Sequence, residues 1–199
     1  MLPDTPEDAA HWLRAAFAHS DVHYDPPVEE GLSDRPLRPA AVLVPVVLRQ
    51  EGPSILLTRR TEHLHHHPGQ ISFPGGRVEP HDPDVCATAL RETHEEIGLA
   101  AERIEVLGRL PDYRTGTGFC VSPVVGLVHP PFVLTPDSFE VAEVFEVPLA
   151  FLLDPAHHQQ AQLEVRGGLR SYHTIPYGNY FIWGATAGML VSLYRFLSR

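Results

Sequence analysis

Arg91-Glu92-Thr93-His94-Glu95-Glu96-Ile97-Gly98-Leu99, preceded by the tight stretch Phe73-Pro74-Gly75-Gly76, is the part of this chain whose reading decides the fold. Residues 84–98 carry the strongest helical pattern in the sequence, closed by Gly98, the residue type that accepts a left-handed cap. On a wheel advancing about 100° per residue, Cys86, Leu90, Thr93 and Ile97 form a narrow core-facing stripe. Glu92, Glu95 and Glu96 gather on the far side. Arg91 stands one helical turn before Glu95, so these two can pair while Glu92 and Glu96 project together. Crowding like charges on an exposed helix costs a few tenths of a kcal/mol per pair, and more in a cleft of low dielectric. A hard divalent cation reverses that sign, because Mg²⁺ or Mn²⁺ takes oxygen ligands and keeps waters that a substrate phosphate displaces. The competing reading is a solvated acidic face. Two neighbours weigh against it: a glycine pair whose backbone can approach a ligand closely, and an arginine inside the acidic cluster.

Outward from that helix the pattern is mixed. Residues 4–19 read as a helix, with Thr5 as N-cap, Pro6 in the first turn, and Trp12, Leu13, Ala16 and Phe17 on one stripe. Asp21 to Pro39 is polar and proline-broken, a long connector. Ala40–Leu48 and Ile55–Thr58 read as strands joined by a short turn, hence a hairpin, and residues 61–76 as a histidine- and glycine-rich loop. Ile104–Leu110 and Phe119–Val128 look like further strands. Glu140–Val147 is either a strand or a loop extension, Leu149–Leu153 a turn or two of helix, and Gln162–Val165 with Leu169–Ile175 a weaker strand pair. From Trp183 to Leu197 the pattern is helical, with Ala187, Leu190, Val191, Tyr194 and Leu197 on one side. Strands grouped between a few helices indicate an α+β or layered α/β/α fold, not a doubly wound one.

Composition limits what such a fold can do. The chain has 199 residues, 43% of them hydrophobic, enough to bury a sizeable core and too apolar for a disordered chain. No run of about 18 apolar residues occurs, so no membrane span is expected, and the start of the chain lacks the pattern of a secretory leader. Cys86 and Cys120 are the only cysteines, which points to a reducing, cytoplasmic setting. With 25 acidic against 15 basic side chains the net charge is −10, so a nucleic-acid partner is disfavoured. An anionic substrate would need a cation, arginines or some of the 13 histidines to offset that repulsion.

The run from Gly76 to Leu99 resembles the Nudix box, Gly-x5-Glu-x7-Arg-Glu-U-x-Glu-Glu-x-Gly-U, where U is a bulky aliphatic residue. Its second half matches at every charged and glycine position, with Thr93 at a U position. The first half departs: counted back from Arg91, the box places Glu at Pro83 and Gly at Arg77. One inserted residue gives Gly76-x5-Asp82-x8-Arg91, with aspartate for glutamate. Residues 56–76, from Leu56-Leu57-Thr58-Arg59-Arg60 through Gly69 to Phe73-Pro74-Gly75-Gly76, are similar to the signature of the coenzyme A diphosphatase branch, which typically carries the same insertion. That signature runs Leu-Leu-Thr-x-Arg-Ser/Ala-x3-Arg-x3-Gly-x3-Phe-Pro-Gly-Gly. Thr61 replaces the small residue and His65 the second arginine. Ile182-Trp183-Gly184-Ala185-Thr186-Ala187 is also similar to that branch. The resemblance covers residues 38–198, and the first 37 carry no motif.

This resemblance implies a Nudix-type α/β/α sandwich with a mixed β-sheet, a catalytic loop-helix-loop and extra N- and C-terminal helices, residues 1–37 being a helix and connector and 38–199 the hydrolase domain. It implies a Mg²⁺- or Mn²⁺-dependent cleavage of coenzyme A or an acyl derivative, a small-molecule partner, to 4′-phosphopantetheine and adenosine 3′,5′-bisphosphate. By family correspondence Glu92 and Glu96 ligate the metal, Glu95 ligates or serves as base, the Gly76 carbonyl completes the shell, and Arg91 orients the glutamates. Glu140, with Glu143 beside it, is a second-choice base. The signature positions Arg60, His65, Gln70, Phe73 and Gly75 are the expected substrate contacts. Rival readings are a dinucleotide or nucleotide-sugar hydrolase and a non-catalytic nucleotide sensor.

Three further features stay open on the residues alone. His63, His65, His66 and His67 invite zinc, but adjacent histidines cannot all face one ion without a distorted loop; a solvated loop or a phosphate contact by His65 are the alternatives. Arg59 is an exposed strand residue or a phosphate contact. Tyr113, Phe119, Phe181 and Trp183 are expected to pack rather than to stack a base.

Overall fold

In a computed structural model, which describes residues 3, 5–18, 36–64, 67–165 and 168–199, the chain forms three layers: helices on both faces of a mixed β-sheet. The expected connector falls mostly on residues outside that set, as do His65 and His66.

The central strand is β1 (Arg38–Val47). It pairs in parallel along its whole length with β7 (Phe119–Val128), and β5 (Ile104–Arg109) adds antiparallel to β7. Both faces of β1 are covered, which is why it reads as a continuous apolar run rather than an alternating one. Ala41 and Leu43 meet Ala89 and Val124 on one side. Ala40, Val44 and Val46 belong to the large core on the other.

The expected hairpin exists but forks. β2 (Ser54–Arg60) pairs with β1 only at Val46↔Ile55 and Val47↔Ser54 and then diverges. Two short strands fill the opening, β3 (Ile71–Ser72) against β2 and β4 (Gly75–Arg77) against the start of β1, with the Leu43 N–H donating to the Pro74 carbonyl at 2.9 Å between them. The stretch read as a loop therefore contributes two strands, too short to leave a period in the sequence. On the other edge of β2 lies β8 (Val141–Pro148), which settles the ambiguous 140–147 segment as strand. A register shift at Arg59/Arg60 marks a bulge there, a device that re-aims a side chain. Also unforeseen are β6 (Tyr113–Arg114) on β7, and β11 (Tyr180–Trp183), which joins β9 (Gln159–Val165) and β10 (Gly168–Tyr177) in a separate antiparallel sheet.

Helix α1 (Pro6–Ala18) is capped as expected, the Asp8 N–H donating to the Thr5 hydroxyl at 3.1 Å. It is no loose appendage. Leu13 and Phe17 are buried, worth roughly 1.5–3 kcal/mol apiece, and Phe17 packs on Phe196 of the last helix with ring centroids 4.4 Å apart. Helix α2 (Val85–Ile97) covers the opposite face, and α3 (Leu149–Leu152) is a single turn after β8. Helix α4 (Gly184–Leu197) corrects the one-sided reading: Met189, Leu193 and Phe196 are buried along with Ala187, Leu190 and Val191, while Tyr194 and Leu197 are half-buried. It is covered by the large sheet and by the β9–β11 sheet at once, so no single stripe describes it. Of the four aromatics expected to pack, Tyr113 is buried and Phe119 and Trp183 are half-buried, whereas Phe181 is exposed.

Candidate active site

Helix α2 begins where the Asp84 carboxylate accepts the Ala87 N–H at 2.8 Å, and it ends at Gly98 with φ 68°. Just before it, Asp82 and Arg91 lock the loop to the helix. Arg91 Nε donates to Asp82 Oδ1 at 3.0 Å and Nη2 to Oδ2 at 2.9 Å, while the Thr88 hydroxyl donates to Oδ2 at 2.8 Å. The Asp82 side chain is 3% exposed. Arg91, then the Glu79 N–H and Thr88, hold its carboxyl well below the usual carboxylate range. The remaining arm of Arg91, Nη1, donates to Glu92 at 2.8 Å and Glu95 at 3.0 Å, and Nη2 also reaches the Arg77 carbonyl at 3.2 Å. One guanidinium thus orders two of the three box glutamates and the incoming loop.

The acidic face does not point to water. Glu96 is 7% exposed and Glu92 half-buried, whereas Glu95 is the exposed member. Glu96 is buried because β4 lies against this side of α2 and its glycines leave room. A Cβ at Gly76 would stand 2.5 Å from the Glu92 carboxylate, and one at Gly75 (φ 154°) would strike the Ala41 carbonyl oxygen. The predicted core stripe shifts accordingly: Thr93 and Ile97 are buried with Thr88 and Ala89, but Cys86 and Leu90 are only half-buried. Burial pushes the Glu96 carboxyl up to about 8, against the opposing pull of the Gly75 N–H and Arg60. Burial also raises that of Glu92, with Arg91 opposing.

From β2, Arg60 enters between two acids: Nη1 lies 3.9 Å from Glu96 and Nη2 3.9 Å from Glu140. Glu140 arrives on a turn fastened to the end of α2, where the Thr135 N–H donates to the Ile97 carbonyl and the Asp137 N–H to the Glu96 carbonyl, each at 2.9 Å. Thr61, buried, secures the same turn: its hydroxyl donates to the Phe139 carbonyl at 2.7 Å and its N–H to the Glu140 carbonyl at 2.9 Å. Sequence reading missed Thr61, Thr88 and the 135–137 tether, whose hydroxyls and N–H groups carry no signature of their own. Glu143 lies elsewhere, 3.1 Å from Arg59 and accepting from the Tyr180 hydroxyl at 2.6 Å. That engagement also accounts for Arg59. Phe73, expected to touch substrate, is 2% exposed and belongs to the large core; its ring supports β3 and β4 rather than a ligand. Gln70 is half-buried, and its carbonyl accepts the Arg60 N–H at 2.9 Å. His65 lies outside the described residues.

Among the described residues, no three His, Cys, Asp or Glu side chains converge as a ready-made ion cage. Arg91 draws Glu92 and Glu95 to itself, and Glu96 turns to the Gly75 N–H. The donor set nevertheless fits a hard cation: carboxylate oxygens only, one of them buried and compensated by no more than a 3.3 Å N–H and a 3.9 Å guanidinium.

The NUDIX domain family matches residues 37–163, which include α2, β4 and the whole Arg60–Glu140 arrangement. This chain belongs to the Nudix hydrolase family. Relatives at the sequence level include the uncharacterized Nudix hydrolase NudL of Enterobacter sp. (strain 638), 43% identical over 78% of this chain and 81% of that one. NudL of Cronobacter sakazakii is 44% identical over the same shares. Among solved structures, the Nudix hydrolase RenU of M. smegmatis superposes with a TM-score of 0.58 at 18% identity, covering 88% of this chain and 96% of that one, a likeness of fold. As a Nudix hydrolase, the protein is an enzyme of the class that acts on nucleoside diphosphate derivatives.

Proposed function

We propose that this Nudix hydrolase cleaves the diphosphate of coenzyme A or an acyl-CoA, releasing 4′-phosphopantetheine and adenosine 3′,5′-bisphosphate, with Mg²⁺ or Mn²⁺ as its ion. The observation that carries the reading is Arg60. It is the arginine of the Leu-Leu-Thr-x-Arg signature, and it stands 3.9 Å from Glu96 of the box, so the two motifs meet in one place. In this reading Glu92, Glu96, Glu95 and the Gly76 carbonyl hold the ion, whose chemistry is to neutralise diphosphate charge and acidify a bound water. Arg91 positions the glutamates. Arg60 receives a diphosphate oxygen, with Gln70, the Gly75 backbone and His65 as neighbours. A carboxylate oxygen of Glu95 or Glu140 takes the proton of the attacking water. Both cysteines are free, in keeping with a reducing cytoplasm, and no described helix is long and apolar enough to cross a membrane.

The rival substrates, dinucleotides and nucleotide-sugars, drew on the departures at Thr61 and His65. The Thr61 hydroxyl donates to the Phe139 carbonyl, which gives that departure a role in loop packing. Incubating the protein with coenzyme A and Mn²⁺, beside a dinucleoside polyphosphate and a nucleotide-sugar, tests the assignment. Phosphopantetheine should appear, and Glu96→Gln should slow it about tenfold or more. Rapid cleavage of another diphosphate with coenzyme A untouched would overturn the substrate. Tight nucleotide binding with no turnover of any of them would favour the sensor.

A further inference from the structure

Arg38 and Arg77, which the catalytic reading leaves unused, share one aromatic ring. The Arg38 guanidinium carbon lies 4.1 Å from the Phe119 ring centroid and that of Arg77 5.7 Å. The strand register makes this inevitable: Arg38 is directly opposite Phe119, and Arg77 is opposite Ala40, two residues further along the same face. Both arginines are exposed, and no ion pair among the described residues engages either of them. Among the described residues, Arg38 Nη2 donates to the Thr117 carbonyl at 3.4 Å. In a chain of net charge −10, two guanidiniums that no described carboxylate pairs, held over one ring, are a prepared anion site. A guanidinium held over a ring by cation–π attraction keeps its fork of N–H donors, and that fork matches phosphate oxygens.

The place is equally informative. Arg77 follows Gly76, against which the Glu92 carboxylate rests, and its carbonyl accepts from Arg91. Successive side chains of a strand point to opposite faces, so the pair lies on the sheet face away from Glu92, beside β4, whose outer edge borders the fork in the sheet. A ligand held at the diphosphate and leaning over that edge would present a second anionic group to it. Coenzyme A has such a group, a phosphomonoester on the ribose of its adenosine half.

We propose that Arg38 and Arg77, braced on Phe119, bind the ribose 3′-phosphate of the substrate. This rests on the coenzyme A reading above and names the feature by which the site selects it over diphosphates with an unsubstituted ribose. The test compares kcat/KM for coenzyme A and 3′-dephospho-coenzyme A in the wild type, the double variant Arg38→Gln/Arg77→Gln, and Arg103→Gln, an exposed arginine just before β5. The wild type should prefer coenzyme A, and the double variant should lose that preference by about fivefold or more, through KM. Arg103→Gln should keep the wild-type ratio. A double variant with the wild-type ratio, a wild type without preference, or an equal loss in Arg103→Gln would each overturn the proposal. Should the wild type cleave neither compound, the substrate assignment fails. Calorimetric binding of adenosine 3′,5′-bisphosphate against 5′-AMP then decides the subsite: a preference present in the wild type and lost in the double variant supports it, and any other pattern refutes it.

Discussion

Arg91 grips Asp82 with two parallel hydrogen bonds, Nε to Oδ1 at 3.0 Å and Nη2 to Oδ2 at 2.9 Å. Asp82 stands where the box has glutamate, displaced by one inserted residue and shortened by one methylene. The longer loop and the shorter side chain deliver a carboxylate to the same guanidinium that orders Glu92 and Glu95. A bidentate pair fixes a plane as well as a distance, so lysine at Arg91 could not reproduce it.

Removing the Asp82 charge should therefore act through the glutamates. Asp82→Asn is expected to lower activity by roughly 10–100-fold, the usual effect of losing a group that orients metal ligands. Circular dichroism should show the helix intact. Activity within twofold of wild type would show that Arg91 needs no anchor.

The two glycines of β4 should separate stability from activity. Gly75→Ala places a Cβ against the Ala41 carbonyl at a φ of 154°, and backbone cannot yield easily, so a loss of about 1–3 kcal/mol in denaturant unfolding is expected. At Gly76 the three atoms nearest such a Cβ all belong to the Glu92 carboxylate, the far end of a side chain. The stability of Gly76→Ala should hold while turnover collapses, because the carboxylate is pushed off the strand. Equal destabilisation by both would contradict this assignment of their roles.

Thr61 should behave as a positioning residue. Thr61→Val keeps the shape and loses the 2.7 Å bond to the Phe139 carbonyl, costing about 1 kcal/mol of stability. Because the same turn carries Glu140, kcat should fall while KM for substrate changes little, and Thr61→Ser should restore much of it. A pure stability loss with normal kcat would remove Glu140 from the account.

The docking of α1 should be acid-sensitive. Arg14, hydrogen-bonded to Glu105 at 2.7 Å through both Nε and Nη2, holds that carboxyl down to about 2, with His129 assisting. A depressed carboxyl stabilises the fold above its unfolded value, near 4.5, and loses that contribution as pH falls from there through about 2. The pair is well exposed, so the amount is no more than about 1 kcal/mol. Glu105→Gln should thus melt below wild type at pH 7, with the gap closing toward pH 2; a gap independent of pH would refute the linkage.

Long elements and charge spacing were legible in the sequence. Helix α2 with its glycine cap, the strand Phe119–Val128 and the acidic cluster beside Gly75-Gly76 all lie where the pattern put them, because period and capping chemistry are local properties. What escaped was set by neighbours. Strands of two to four residues, such as Ile71–Ser72 and Tyr180–Trp183, hold no period and exist because an edge was available. The burial of Glu96 could not be read from a helical wheel, since it depends on β4 lying against α2. Phe73 shares a signature with substrate-facing positions, and only the fold shows its ring in the core.

The α2 carboxylates should take up a divalent cation although Arg91 and the Gly75 N–H engage them. Titrating Mn²⁺ into the wild type and Glu96→Gln by calorimetry, each with and without adenosine 3′,5′-bisphosphate, tests it most directly. The wild type should show saturable uptake, strengthened by the nucleotide and weakened roughly 10–100-fold by the substitution. No uptake under either condition, or equal uptake by both proteins, would contradict it.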